Sequence, residues 1–268
     1  MTGSAPALGR APLRLVLPAL AAVALLVVPL LGLVARSPWR ELPDLLTDPA
    51  LHEALWLSVL TATVATLVCV LLGLPLAWVL ARTAVRGRAL LRGLVAVPLV
   101  MPPVVAGVAL LAAFGRTGLV GAPLWDAFGV TVPYTTVAVV LAHTFVALPF
   151  FVLSVEGAMR ASSREYDAVA AVLGAGRWTT FRRVTVPLVM PGIGAGMLLA
   201  WARSLGEFGA TITFAGNYPG TTQTMPLLIY SRLQGDPAEA YALGLVLLAF
   251  SLLVLAVLRD RWLGEARP

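Results

Sequence analysis

The chain has 268 residues, of which 59% are hydrophobic and 12% are charged, and its mean hydropathy is +0.91. This balance excludes an ordinary soluble domain and indicates a protein embedded in a membrane. The formal net charge of +6 comes from arginine, since the sequence contains no lysine. We attribute this charge to membrane topology and contact with anionic lipid rather than to nucleic-acid binding.

Six apolar segments are long enough to cross about 30 Å of hydrocarbon, which requires about 20 helical residues each. They lie near 13–35, 55–81, 89–113, 132–156, 187–209 and 240–258. The first is too long for the core of a signal peptide, so we expect it to remain as an anchor. The prolines of the third segment, Pro98, Pro102 and Pro103, predict a kink in its helix. The sequence therefore predicts an all-α integral membrane protein with six transmembrane helices, forming a single domain over 1–268.

The arginines are divided unevenly between the two sides of these spans. If both termini are on the inner side, only five of the 19 arginines fall on the other side, namely Arg36, Arg40, Arg116, Arg203 and Arg232. Because loops rich in Lys and Arg usually remain in the cytoplasm, we expect both termini and the segment 157–186 to be cytoplasmic. The chain is then a multi-pass protein of the cell (cytoplasmic) membrane.

The segment 157–186 is a polar, arginine-bearing loop between the fourth and fifth spans. Ser162 and Glu165 have the spacing of a capping box at a helix start, and one apolar helix face is formed by Tyr166, Val169, Ala170 and Leu173. Gly174 follows at the position where helices commonly end in a left-handed conformation. A second helical stretch follows, and Pro187 begins the next apolar run. The pattern predicts a helix–turn–helix at the membrane surface on which a partner docks.

This loop resembles the EAA loop of ABC importer permeases, whose pattern is Glu-Ala-Ala, three residues, Gly, nine residues, an aliphatic residue, one residue, Leu, Pro. The family's glutamate position is occupied by Ala168, with Asp167 beside it and Glu165 three residues upstream, so which acid contacts the partner stays open. The resemblance implies an ATPase-coupling loop made of Glu165, Asp167, Ala168, Val169, Ala170, Gly174, Val184, Val186 and Pro187.

Catalytic and cofactor-binding patterns are missing from the sequence. A P-loop needs a lysine on the nucleotide phosphates, and the chain contains none. If ATP drives transport, we therefore expect hydrolysis on a separate ATPase chain, with no enzymatic activity, cofactor or metal on this one. Cys69 is alone within a span and implies neither a disulfide nor a metal site. His143, within the fourth span, is expected to form an interhelical hydrogen bond rather than to bind a ligand.

A second informative segment, 202–217, carries an arginine and a glutamate four residues apart. Arg203 and Glu207 can pair on one helix face, and Arg203 lies about 24 Å along a helix that starts near Pro187, at about 1.5 Å per residue. Ionisable groups at this depth usually face a bundle interior or a water-filled path. Two interpretations stay open. The pair is a salt-bridged helix end, or it belongs to an anion pathway at a subunit interface with Ser204, Thr211 and Thr213.

The stretch Ser204-Leu-Gly-Glu-Phe-Gly-Ala210 resembles the sulfate and molybdate branch of the same permeases, and 98–107, 114–121, 211–217 and 219–226 resemble molybdate permeases. The likeness covers about 90–230. It implies a molybdate importer with a second copy of this chain, separate ATPase subunits and an extracytoplasmic solute-binding protein.

Other substrates and another transport class stay open. Sulfate and tungstate are alternative substrates, because all three are tetrahedral dianions. A secondary anion transporter working without ATP is the alternative of a different class. It normally requires acids or broken helices at the membrane midplane, and Glu207 is the one acidic candidate deep in a span.

Overall fold

A computed structural model of the chain describes residues 13–163 and 165–263, and within these ranges the fold is all-α, with no strand. In chain order the helices are α1 (Leu13–Arg36), α2 (Leu42–Leu46), α3 (Pro49–Arg82), α4 (Arg88–Val100), α5 (Pro103–Phe114), α6 (Gly121–Phe128), α7 (Thr136–Ala161), α8 (Glu165–Val172), α9 (Arg177–Thr180), a π-helical turn (Phe181–Thr185), α10 (Val186–Leu188), α11 (Met190–Leu205), α12 (Gly209–Phe214), α13 (Met225–Gly235) and α14 (Pro237–Leu263).

Four of these helices, α1, α3, α7 and α14, are each long and apolar enough to cross a membrane. Two further candidates are bent pairs, α4 with α5 at 118° and the stretch Arg177–Leu188 with α11 at 72°. The described residues thus contain four to six candidate spans, and six when each bent pair counts as one. The predicted all-α fold with several apolar spans is confirmed.

The break between α4 and α5 follows from the adjacent prolines. Met101 and Pro102 are extended, with ψ of 127° and 136°. A residue that precedes a proline is driven out of the helical region, and proline itself lacks the N–H that a helix interior needs. The predicted kink of the third span is therefore confirmed, and it is a sharp one.

Several predicted span boundaries were wrong by a few residues, including those of the fourth and fifth spans. The helix α7 continues to Ala161, so 157–161 belong to its last turns rather than to the loop. The main helix of the fifth span begins at Met190 instead of Pro187, because the backbone leaves the helical region at Val189. This helix ends at Leu205, whereas the apolar run was predicted to continue to 209.

Small residues allow α3, α7 and α11 to pack closely in the centre of the fold. A Cβ atom at Gly73 of α3 would lie 2.6 Å from Cδ1 of Phe151, and one at Gly196 of α11 would lie 3.2 Å from Cδ2 of the same ring. Lipid supplies little hydrophobic drive between helices, so close contact of this kind holds membrane bundles together. The second half of the 162–189 segment packs against this three-helix core.

Polar contacts join neighbouring segments at each end of the bundle. At the end that carries the 162–189 loop, called the loop end, Arg82 of α3 donates to Ser162 Oγ at the end of α7 over 2.6 Å. At the opposite end, Thr136 of α7 donates to the carbonyl of Thr221 over 2.9 Å. There α5 and α12 also pack closely, since a Cβ at Gly209 would lie 2.6 Å from Cβ of Pro103.

Candidate functional site

The loop forms two short helical arms that meet at Gly174. This residue has a φ of +81°, and its N–H donates to the Ala171 carbonyl over 3.0 Å. The N–H of Ala175 donates to the Ala170 carbonyl over 2.9 Å. These two bonds and the positive φ make a Schellman motif, which favours glycine at this position. The predicted left-handed end of the first arm is confirmed.

The helix start differs from the predicted capping box. Ser163, not Ser162, caps the arm, since the N–H of Glu165 donates to Ser163 Oγ over 3.1 Å. Ser162 instead ends α7, where its hydroxyl bonds the Met159 carbonyl at 2.9 Å. The α7 helix runs further than the hydropathy pattern indicated, so Ser162 is already engaged.

The first arm, α8, turns most of its apolar side chains away from the rest of the chain. Tyr166, Val169 and Leu173 are 57%, 58% and 81% exposed. Only Ala170 of the predicted apolar face is buried. Adjacent exposed apolar side chains on a rigid, capped helix are typical of a protein-binding surface. The exposed Glu165 and Ala168 lie on the same short helix.

Asp167 points inward and fastens this arm to the bundle. Its Oδ2 atom lies 3.3 Å from Nε of Arg82, whose side chain is only 6% exposed. Its Oδ1 atom accepts a hydrogen bond from Thr185 Oγ1 over 3.2 Å. Of the two acids considered for partner contact, Asp167 is thus bound to the chain's own helix α3 and π-helical turn, while Glu165 is exposed.

The second arm consists of α9, the π-helical turn and α10, and it leads into the three-helix core. Phe181 and Val186 pack against the buried residues of α3, α7 and α11, and the Phe181 ring meets Trp78 of α3 edge-on at 5.9 Å. Val184 is half-buried and Pro187 is exposed. The second arm is thus packed directly against α3, α7 and α11.

Sequence reasoning missed a buried carboxylate at the loop end. Glu156 of α7 is 3% exposed. It pairs with Arg160 at 3.0 Å and with Arg92 of α4. The i,i+4 spacing to Arg160 was a usable local signal, whereas nothing in the local sequence indicated Arg92, which lies 64 positions away.

At the opposite end, Arg203 and Glu207 form the predicted ion pair, with 2.7 Å between Nη1 and Oε2. The two residues do not share a helix face as predicted, since Glu207 lies beyond the end of α11, in the break before α12. There its Oε1 atom accepts the Ala210 N–H over 2.8 Å and caps the start of α12. Glu207 is 1% exposed, whereas 29% of the Arg203 side chain is exposed.

The three predicted hydroxyl residues differ in their surroundings. Ser204 and Thr211 are buried, and neither hydroxyl has a hydrogen-bond partner among the described residues. Thr213 instead donates to the Gly209 carbonyl over 2.8 Å and packs against Gly107 of α5. Within the described residues the hydroxyls of Ser204 and Thr211 are thus unpaired, whereas that of Thr213 is already hydrogen-bonded.

Most of the chain matches a known protein family. The family described as "Binding-protein-dependent transport system inner membrane component" matches residues 70–264. The chain belongs to this family. The permease is 51% identical over 240 residues to the molybdenum transport system permease protein ModB of Mycobacterium tuberculosis (strain ATCC 25618 / H37Rv), with 89% of this chain and 90% of that relative covered. The molybdenum transport system permease protein ModB of Escherichia coli (strain K12) is 40% identical over 82% of this chain and 96% of its own length.

The chain is also similar to a sulfate permease and, in fold, to a chain of a solved ABC transporter. The sulfate transport system permease protein CysT of Escherichia coli (strain K12) is 38% identical over 86% of this chain and 84% of its own length. A crystal structure of a bacterial alginate ABC transporter, in complex with a periplasmic protein bound to an alginate pentasaccharide, has a chain of similar fold. The TM-score is 0.74 at 18% identity, with 92% of the permease and 93% of that chain covered. The predicted resemblance to importer permeases is confirmed, and the permease is a multi-pass membrane protein.

Proposed function

We propose that this chain is the membrane-spanning subunit of an ATP-driven importer that carries molybdate across the cytoplasmic membrane. The observation that carries the proposal is the 51% identity, over most of both chains, to a molybdenum transport permease. Sulfate is the second candidate, because a sulfate permease is 38% identical over most of its length. Tungstate shares the tetrahedral shape and the charge of both anions and is an expected competitor.

The working assembly contains two copies of this permease, two separate ATPase subunits and an extracytoplasmic solute-binding protein. Two features support an ATPase on another chain. The sequence has no lysine for a P-loop, and the apolar side chains of Tyr166 and Val169 in α8 and of Leu173 directly after it are exposed. The solved structure of similar fold contains a periplasmic protein bound to an alginate pentasaccharide, which agrees with a solute-binding partner.

The loop end faces the cytoplasm in this proposal, and both termini lie on the same side. The uneven division of the arginines supports this orientation. The face of α8 that leaves the bundle is then available to a cytoplasmic ATPase, with Glu165 as the acid offered to it. Anionic lipid contacts the arginines that flank the spans.

Coupling follows from the contacts of the loop. Closure of the ATPase pair moves α8, and the Asp167–Arg82 pair at 3.3 Å transmits the movement to α3. The second arm transmits it to the core through Phe181 and Val186. Small displacements at such a joint switch packed helices between two discrete arrangements, which open the path to one side at a time.

The anion path runs through the opposite end of the bundle, past the break between α11 and α12. A dianion that leaves water needs compensating charge or hydrogen-bond donors, because uncompensated burial is very costly. Arg203 supplies the charge, and Ser204 and Thr211 supply donors that no described residue occupies. Glu207 holds Arg203 in position and offsets its charge, so that the anion is bound weakly enough to leave.

A competition assay tests the substrate. Proteoliposomes that contain the complete complex should take up radiolabelled molybdate from the loaded solute-binding protein. Excess unlabelled tungstate should compete, and equal excess sulfate should not. Stronger inhibition by sulfate than by tungstate would assign the permease to sulfate transport instead.

A further inference from the structure

His143 is a buried side chain that the fold leaves without a partner. It lies in α7 with 1% of its surface exposed, and neither ring nitrogen has a hydrogen-bond partner among the described residues. The expected interhelical hydrogen bond is therefore wrong. A buried polar ring without a partner reduces stability, so the ring needs a hydrogen-bond partner from outside the described chain.

The surroundings of His143 connect it to the break between α11 and α12. Helices α7 and α11 run antiparallel, with Ser154 donating to the Gly192 carbonyl and Phe151 packed against Gly196, and this register brings His143 level with Arg203. Its neighbour Ala142 belongs to the same buried cluster as Ala210 and Phe214 of α12. Helix α7 packs against both α11 and α12. His143 thus faces the region of the ion pair from a third helix.

The unpaired side chains of this region can each donate a hydrogen bond. Both carboxylate oxygens of Glu207 are occupied, one by Arg203 and one by the Ala210 N–H. A neutral imidazole offers one N–H, and the hydroxyls of Ser204 and Thr211 offer one donor each. A tetrahedral oxyanion presents four acceptor oxygens and no donor, so its chemistry matches this set.

We propose that His143 is an oxyanion-binding residue of the translocation path, donating a hydrogen bond to the anion beside Arg203. This inference rests on the proposed function and adds a binding group from α7 to it. Neutral donors around a charge-compensated arginine bind an anion strongly enough to admit it and weakly enough to release it. The ring is buried in this structure, so binding of the anion to it requires α11 or α12 to move away from α7.

The test separates binding from packing with His143→Leu, which replaces the ring with an apolar side chain. Removing a buried, unpaired polar group should leave thermal stability in detergent unchanged or higher, yet molybdate uptake by the complete complex in proteoliposomes should fall at least tenfold. Thr211→Val, which removes a second free donor of the site, should also lower uptake. Thr224→Val is the matched control, because Thr224 has an equally buried and unpaired hydroxyl at the start of α13. It should transport normally.

Molybdate uptake by His143→Leu within twofold of wild type would overturn the proposal and leave the ring as a packing residue. If that variant does not assemble, His143→Gln decides, since it keeps a donor but changes its position. The ratio of sulfate to molybdate uptake should then change, and an unchanged ratio would contradict the proposal. Absence of molybdate uptake by the wild-type complex would instead refute the proposed function itself.

Discussion

Gly174 provides a sharp test of the loop as the coupling element. Its φ is +81°, and a Cβ added there would meet no atom within 4 Å. The substitution Gly174→Val therefore causes no collision, and its cost is confined to the backbone. A β-branched residue in the left-handed region costs about 1–2 kcal/mol. This corresponds to a roughly 5- to 30-fold shift of the local equilibrium away from the native turn.

This turn joins α8 to the rest of the loop. Loss of the native turn should therefore change the angle at which α8 meets the ATPase. We expect Gly174→Val to assemble with the ATPase subunits, while ATP hydrolysis no longer responds to the loaded solute-binding protein and uptake falls. The measurement is ATPase activity with and without that protein in proteoliposomes.

Gly176 supplies the matched control two residues further on. It has a φ of −66°, and its Cβ position is equally open. Gly176→Val should therefore keep stimulated hydrolysis near the wild-type level. Equal stimulation in both variants would refute the assignment of the Gly174 turn to coupling.

Two further predictions concern topology and the ion pair. Cysteines are introduced singly at Ser163 and at Thr221 in a Cys69→Ala background. They should react with an impermeant thiol reagent from opposite faces of the membrane. Reaction of both from one face would contradict the proposed arrangement of the spans. Arg203→Met should lower both thermal stability and molybdate uptake, because it leaves Glu207 buried without its counter-charge. Losing one partner of a buried ion pair typically costs about 3–5 kcal/mol of folding stability. The double variant Arg203→Met/Glu207→Gln should recover most of the stability but not the uptake, whereas recovered uptake would make the pair purely structural.

Features with a local physical cause were predictable from the sequence. Long apolar segments must be helical in lipid, since every backbone polar group has to be satisfied internally, and the apolar spans were found accordingly. The turn at Gly174 and the kink at Pro102 also depend on the conformational limits of single residues. The structure confirms both.

Features that depend on contacts between distant segments were not predictable in this way. The break after Leu205 is held by the Glu207 side chain, which caps the following helix and pairs with Arg203 at the same time. The apolar composition of 187–209 gave no sign of it. Similarly, Arg82 of α3, which pairs with Asp167, and Arg92 of α4, which pairs with Glu156, are far away in the chain. The missing partner of His143 became visible only when all neighbouring helices were in place.

The central claim is that this permease moves molybdate at the expense of ATP hydrolysed on another chain. Its most direct test is the initial rate of radiolabelled molybdate uptake into proteoliposomes that hold the permease and its ATPase subunits, with loaded solute-binding protein outside and ATP either enclosed or omitted. The account predicts uptake only when enclosed ATP and the solute-binding protein are both present. Equal uptake without ATP, driven by an imposed ion gradient, would contradict it and indicate a secondary transporter.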